Sequence, residues 1–474
     1  MRLLPILNPP PGGAAAPEGS RSAARAAEEV PREKRVHFEV FGCQMNKLDA
    51  EIVLGALFER GYRLARDIRD AGVILFETCA VREHAERRVF SRIGALRALK
   101  EKRPDVVIAV LGCSAQNRGA EIFRRYPHVG VVCGPGELLR LPELLEEARR
   151  GRRAEALDLD ADLASPRRRN LGPSPFQAYV SAVRGCDEAC SFCVVPKTRG
   201  REVSRPVADI VEECRALAAG GVREITLLGQ TVNSYGKRLA KGRRIGLHHV
   251  LEALQEIAGL ERIRFVTSHP KYMSAELIEA MASLPKVCEY LHLPVQSGSD
   301  SVLRRMVRRY TAAEYRRIAE ECRARIPGLV LATDFIVGFP GETEDEFAET
   351  LRLLDEVRFQ GAFVFKYSER RGTRAARLHP DDVPDATKRA RHRILLERVK
   401  DLALEHHRSR IGETVEVLVE GKSQLDPGRW TGRTRGFEIV VFPAAPGEDL
   451  AGAFVPVRVA DATPLVLVGE RPAS

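Results

Sequence analysis

The run Arg184-Gly185-Cys186-Asp187-Glu188-Ala189-Cys190-Ser191-Phe192-Cys193 places three thiols in a CxxxCxxC array, just after a short apolar stretch, Ala178 to Val183, that reads as a strand. Sulfurs this close in sequence can reach one metal centre, and thiolate is a soft donor suited to iron–sulfur clusters or zinc. On a four-iron cube, three cysteines leave one iron free to take a substrate as its fourth ligand. On zinc, a distant His or Cys would complete a closed tetrahedral site. The spacing alone leaves both open.

The elements that must position this array form a strand–helix series. Candidate strands are Ala178 to Val183, Glu224 to Leu228, Arg262 to Val266, Tyr290 to Leu293, Leu329 to Ile336 and Ala362 to Tyr367, with helical segments between them such as Val207 to Ala219 and Ala312 to Arg325. Six such units predict a full or partial parallel barrel whose chemistry lies on the loops leaving the strand carboxyl ends. The cysteine array occupies the first loop. The later ones, Gly229 to Asn233, Ser268 to Pro270, Pro294 to Ser299 and Gly338 to Glu342, are polar or glycine-rich.

An earlier α/β series has strands at Val36 to Phe41, Gly72 to Phe76, Val106 to Leu111 and Val129 to Val132, with helices at Leu48 to Arg60 and Glu83 to Lys102. Cys43, Cys79 and Cys113 follow the first three strands. In a parallel sheet the strand carboxyl ends share one edge, so these three thiols could meet in a second site. An isolated Cys is ordinarily a small buried apolar side chain, and that is the reading for Cys133, Cys214, Cys288 and Cys322. The histidines show no metal spacing.

Residues 1–35, with Pro9-Pro10-Pro11-Gly12-Gly13 and mixed charges, read as a disordered extension. Residues 149–175, arginine-rich and ending in Gly172-Pro173-Ser174-Pro175, read as a linker. Beyond a charged helix at Lys388 to His407, the runs Val415 to Val419, Phe437 to Phe442, Phe454 to Val459 and Leu465 to Val468 predict a small all-β barrel over 411–472. Across 474 residues, 75 Lys and Arg against 65 Asp and Glu give a net charge of +10, which favours a polyanionic partner such as RNA. Ten cysteines, several in metal-like spacing, fit reduced thiols in a cytoplasm, and no apolar run reaches the ~18 residues of a membrane helix.

The chain resembles the tRNA methylthiotransferases of the radical S-adenosylmethionine (SAM) superfamily from about Val36 to Glu470. The resemblance is carried by Phe41-Gly42-Cys43-Gln44-Met45-Asn46, Thr78-Cys79-Ala80-Val81-Arg82-Glu83, Gly112-Cys113-Ser114-Ala115-Gln116, the Cys186–Cys193 array and Thr198-Arg199-Gly200-Arg201-Glu202. Further matches are Leu228 to Gly236, His292 to Ser299 and Asp334 to Thr343. The resemblance implies an N-terminal parallel α/β domain (36–148), a central partial (β/α)6 TIM-like radical SAM barrel (176–408) and a C-terminal TRAM barrel that binds RNA.

It also implies two 4Fe-4S clusters. One, on Cys186, Cys190 and Cys193, chelates SAM and on reduction yields a 5′-deoxyadenosyl radical. The other, on Cys43, Cys79 and Cys113, handles sulfur. The resemblance further implies SAM contacts from Phe192, Gln230, Asn233, Ser268, Gln296, Gly338 and Glu342, and phosphate contacts from Arg199, Arg201, Arg205, Arg433 and Arg435. Arg304, Arg305, Arg308 and Arg309 read as a solvated helix face. Implied partners are a tRNA anticodon loop and an electron donor such as a flavodoxin or ferredoxin, met by a monomer.

The Cys-Gln-Met-Asn and Gly-Gln-Thr-Val-Asn-Ser-Tyr stretches look most like the branch acting on isopentenyladenosine at tRNA position 37. Sister branches act on threonylcarbamoyladenosine or on a ribosomal-protein aspartate. Glu77, where the family has Asn, and Lys197, where it has Tyr, depart from the pattern. A reading from another class is a non-catalytic RNA-binding protein stapled by zinc.

Overall fold

The computed structural model describes residues 30–472 apart from 82, 160–166, 168–169, 173, 238, 240–244 and 446. Most of the extension expected to be disordered therefore lies outside the described residues. The chain divides into two compact units. The first takes the chain up to residue 173 with Arg184–Glu188 and Cys193–Val203; the second takes Ser174–Val183, Ala189–Phe192 and Ser204 onward.

In the first unit, β1 (Arg35–Val40), β2 (Arg63–Leu64), β3 (Val73–Thr78), β4 (Val107–Gly112), β5 (Val131–Cys133) and β6 (Ala154–Ala156) form one parallel sheet in the order β2-β1-β3-β4-β5-β6. Every residue of β3 and β4 is buried, as parallel strands covered on both faces require. Alternate residues divide between two cores. Val73, Leu75, Val107 and Leu111 meet helix residues Leu54, Leu57 and Leu144 on one face, while Ile74, Phe76, Ile108 and Val110 meet Val89, Ile93 and Phe123 on the other.

Four strands were expected and six are present. The extra two, β2 and β6, are two and three residues long, too short to show a period, and β6 lies inside the stretch read as linker. The helix expected over Glu83 to Lys102 is interrupted at Leu96.

The second unit opens with β7 (Gln177–Ser181), and the two-residue strands β8 (Val183–Arg184) and β9 (Val203–Ser204), at the neck of the cysteine loop, each have one residue in either unit. β10 (Glu224–Leu228) and β11 (Arg262–Phe265) join β7 in one parallel sheet, and β12 (Tyr290–His292), β13 (Val330–Val337) and β14 (Gly361–Lys366) form another. A parallel bridge, Ile263 with Val287, and a Ser268 N–H bond to the His292 carbonyl at 3.1 Å join the two into an open six-stranded arc. Its outer face, including Val180, Ile225, Phe265, Leu331 and Phe335, forms one large core with the helices. This is the partial (β/α)6 barrel expected.

The C-terminal barrel closes with five strands in the order β15-β16-β17-β19-β18: β15 (Thr414–Lys422), β16 (Arg429–Arg433), β17 (Ile439–Pro443), β18 (Phe454–Ala462) and β19 (Leu467–Glu470). Sequence reading missed β16. Its Gly432-Arg433 end reads as a turn, yet alternation buries Trp430 and Gly432 on the barrel interior.

Candidate functional site

The strand order of the first unit reverses between β1 and β3, the switch point where an open α/β sheet forms its ligand crevice. Cys43 follows β1 and Cys79 follows β3, one on each side. Thr78 pairs in register with Gly112, so Cys79 and Cys113 follow adjacent partners. Gly42, at φ +138°, lets the first two loops close together: a Cβ there would lie 2.8 Å from the Cys79 Cβ. Asn46 locks the edge. Its Oδ1 accepts from the Cys43 Sγ at 3.2 Å, and its Nδ2 donates to Glu77 Oε1 at 2.7 Å and the Thr78 carbonyl at 3.0 Å.

Arg199 completes this arrangement from the cysteine loop. Its Nε donates to Cys113 Sγ at 3.2 Å, and its two terminal nitrogens donate to Asp49 at 3.3 and 2.5 Å. Burial pushes the Cys113 thiol up to about 11, and the Arg199 charge pulls the other way. Glu77 is fully buried. Burial first, then the Asp49 charge, holds its carboxyl well above the usual range, so the neutral acid is favoured, and its Oε2 is a buried oxygen without a partner. Among the described residues no three His, Cys, Asp or Glu side chains close on a single metal ion. The donor set here is instead three thiols at three neighbouring strand ends, which suits a body wider than one ion.

The CxxxCxxC loop is divided: Cys186 and Cys193 belong to the first unit, Cys190 to the second. On the first side the arms of the loop touch, with the Cys186 N–H bonded to the Gly200 carbonyl at 3.2 Å and the Glu202 N–H to Asp187 at 3.2 Å. On the second side Ser191 anchors the chain, its N–H to the Met306 carbonyl at 2.9 Å and its hydroxyl to the Arg305 carbonyl at 2.7 Å. There Arg308 donates to Cys190 Sγ at 3.5 Å, to Tyr310 Oη at 2.8 Å and to the Pro294 carbonyl at 2.9 Å. Phe192, expected against a cofactor adenine, packs on Val302, Met306, Phe339, Tyr367 and Ala375 and stays partly exposed.

Three of the expected cofactor contacts stand at the carboxyl ends of the arc with a buried oxygen left unpartnered: Gln230 Oε1 after β10, Ser268 Oγ after β11 and Glu342 Oε1 after β13. Buried polar groups are normally paired, so these orphans fit a polar ligand such as SAM. Asn233 is committed to the neighbouring loop, bonding both the N–H and the carbonyl of His269 at 2.8 and 3.0 Å. Gln296 and Thr267 hold left-handed backbone, at φ +77° and +69°, a strain that non-glycine residues keep mainly at functional sites. Burial, helped by Arg308, pushes the His269 imidazole down to about 2, so it stays neutral. At Gly338, φ +70°, a Cβ would lie 2.3 Å from the Lys388 Cγ. The Gly338 N–H donates to Glu342 Oε2 at 2.6 Å, which Arg391 also holds at 2.9 Å.

Four of the five arginines expected at phosphate already have partners within the chain. Arg199 is buried against Asp49 and Cys113. Arg205 is held by Glu213 at 2.7 Å and the Ser181 carbonyl at 3.0 Å, Arg433 by Glu420 at 3.0 Å, and Arg435 by Glu289 at 2.7 Å and the Val287 carbonyl at 2.7 Å. The turn carrying the last two is the seat of the small barrel on the amino end of the arc. Arg262 and Arg264, buried beneath it, donate to the Arg433, Thr434 and Arg435 carbonyls at 2.9, 2.7 and 2.5 Å. Arg201 alone of the five stands exposed. In the helix expected to show a solvated face, Arg304 and Arg309 are exposed, but Arg308 is buried and Arg305 pairs with Glu346 at 2.7 Å. Sequence reading missed Asp49 and Arg308. Asp49, six residues beyond Cys43, offered only its closeness to a cysteine motif.

Comparison with known proteins gives three family matches. Residues 180–354 match the Radical SAM superfamily, 35–134 an uncharacterized protein family, UPF0004, and 408–470 the TRAM domain. The chain is 46% identical over 450 residues to the tRNA-2-methylthio-N(6)-dimethylallyladenosine synthase of Halorhodospira halophila, covering 93% of each chain. It is 44% identical to that of Symbiobacterium thermophilum, covering 92% of this chain and 94% of that one. Among solved structures it is similar to the apo form of OxsB, a cobalamin-dependent S-adenosylmethionine radical enzyme, at 14% identity and a TM-score of 0.50 over 79% of this chain and 56% of that one. That likeness concerns the fold alone.

Proposed function

Since the chain belongs to the tRNA-2-methylthio-N(6)-dimethylallyladenosine synthase family, we propose that it inserts a methylthio group at carbon 2 of isopentenyladenosine 37 in the anticodon loop of tRNA. The superfamily brings with it one 4Fe-4S cluster and SAM, which the thiols of Cys186, Cys190 and Cys193 would hold. A second 4Fe-4S cluster on Cys43, Cys79 and Cys113 is our reading of the switch-point crevice, and the single observation that carries it is the meeting of those three strand ends with Arg199 seated on Cys113. When bound, these groups supply a radical able to take hydrogen from an unactivated C–H bond and a source of sulfur.

The chain's own residues bind, orient and exclude water. Ser191 ties the Cys190 segment to the arc. Arg308 offers positive charge beside Cys190. Gln230, Ser268 and Glu342 present unpaired oxygens that suit the donors of SAM. Neutral His269 adds no competing charge. An adenosine in a single-stranded loop can be splayed out for chemistry without opening a duplex, and Arg201 remains available for phosphate. Among the described residues no helix is long and apolar enough to cross a membrane. We place the reaction in the cytoplasm, where tRNA is, carried out by a monomer fed by a flavodoxin or ferredoxin.

Nucleoside mass spectrometry of tRNA from a deletion strain tests the activity. Loss of the 2-methylthio nucleoside with accumulation of isopentenyladenosine is the expected result. Intact 2-methylthio-isopentenyladenosine, with loss of a thiolated threonylcarbamoyladenosine instead, would transfer the reading to the sister branch. Colourless, zinc-loaded protein after anaerobic purification would favour the non-catalytic alternative.

A further inference from the structure

Arg199 makes more hydrogen bonds than a loop anchor requires. It lies six residues beyond Cys193, is 4% exposed and spends its terminal nitrogens on Asp49. That pairing already offsets the cost of burying a guanidinium, which unpaired would be several kcal/mol. Its remaining nitrogen, Nε, donates to Cys113 Sγ at 3.2 Å. A protonated thiol is a weak acceptor, whereas hydrogen bonds to an ionised acceptor are about twice as strong as neutral ones. The contact is therefore strongest with Cys113 in the thiolate form that ligates metal. Its backbone is fixed independently: Val194, at the start of the same short helix, packs with Ala80 and Cys113, and the Arg199 N–H bonds to the Val195 carbonyl at 2.8 Å.

Resting on the reading that Cys43, Cys79 and Cys113 hold the auxiliary cluster, we propose that Arg199, oriented by Asp49, is the positioning residue of that cluster. It holds Cys113 as a ligand and places a fixed positive charge beside the cluster's sulfur. Reduction adds negative charge to a cluster, and hydrogen bonds and charge at its sulfurs set the potential. A guanidinium there raises the potential, and the Asp49 carboxylate behind it moderates the rise. Altering the two residues should consequently move the potential in opposite directions, which a residue that merely fills space would not do.

The full-length chain carrying Cys186→Ala, Cys190→Ala and Cys193→Ala keeps only the auxiliary site. After anaerobic reconstitution, iron and acid-labile sulfide are counted and the midpoint potential is read by a redox titration followed by electron paramagnetic resonance. In this background Asp49→Asn leaves the guanidinium uncompensated, and the potential should rise. Asp49→Asn combined with Arg199→Gln removes both charges and strands neither, and the potential should fall below that of Asp49→Asn. Full iron with an unmoved potential in both variants overturns the proposal and leaves the cluster assignment standing. A parent triple variant that binds no iron overturns the assignment and the proposal together. Should the double variant fail to fold, Asp49→Asn decides alone: an upward shift supports the proposal, and no shift or a downward one overturns it.

Discussion

Each cysteine site has a buried arginine on one of its sulfurs, and the two arginines are compensated differently. Arg199, on Cys113, is closed by the Asp49 carboxylate. Arg308, on Cys190, is 8% exposed and is met by a hydroxyl, a carbonyl and the thiol; among the described residues no carboxylate pairs with it. A buried charge is costly without countercharge, and a thiolate at Cys190 would supply it. The first site is electrically complete as the chain folds, which suits a resident cofactor. At the second, the ionisable groups bonded to the guanidinium among the described residues are the Cys190 sulfur and the Tyr310 hydroxyl.

The largest effect that tests this contrast is loss of chemistry. Cys190→Ala should abolish reductive cleavage of SAM, whereas Cys113→Ala should keep cleavage yet make no methylthio product. Release of 5′-deoxyadenosine and nucleoside analysis distinguish them, and equal loss of cleavage in both would erase the difference between the sites.

A compensated buried charge elsewhere serves as the stability reference. Glu438 loses solvation by burial, which alone would raise its pKa. Hydrogen bonding from His406, the Arg410 charge and the Thr434 hydroxyl outweigh that and bring it to about 2. A carboxylate depressed from an ordinary value near 4.5 contributes stability above that pH and loses it as pH falls toward 2. Glu438→Gln should therefore cost about 3 kcal/mol at pH 7, with the difference from the parent shrinking steadily in denaturant unfolding between pH 4.5 and pH 2.

Arg308→Met keeps bulk and removes charge. A hydrogen bond to an ionised group contributes about 1.5–3 kcal/mol. Iron held by the Cys190 loop in a Cys113→Ala background should accordingly be about ten- to a hundred-fold easier to remove with a chelator. Unchanged retention would mean that the guanidinium does not serve that site. The smallest effect belongs to Arg201→Ala. It should weaken tRNA binding a few-fold and lower the salt slope by about 1, while Arg433→Ala, which breaks a pair with Glu420, should leave that slope unchanged.

Much of the fold was legible because it rests on local periodicity. The alternation that buries Ile74 and Phe76 on one face and Val73 and Leu75 on the other is present in the residue order, as is the placement of Cys43, Cys79 and Cys113 after successive strands. Three short strands escaped, since β2, β6 and β16 have too few residues or too turn-like an end to show a pattern. The partners of the arginines were less legible. Arg433 and Arg435 sit in a basic turn, and nothing near them in sequence announces Glu289, more than a hundred residues earlier. Glu77, one of the two departures from the family pattern, is a buried group favouring its neutral acid. Lys197, the other departure, is exposed.

The sequence by itself determined the order of the three folding regions, the six cysteines and the family, because strand and helix periods and ligand spacing are properties of neighbouring residues. Tertiary structure alone decided which charges are available to a ligand and which are already taken. Whether a guanidinium faces water, a carboxylate or a thiol depends on elements brought together from far apart in the chain, and desolvation makes that choice worth several kcal/mol.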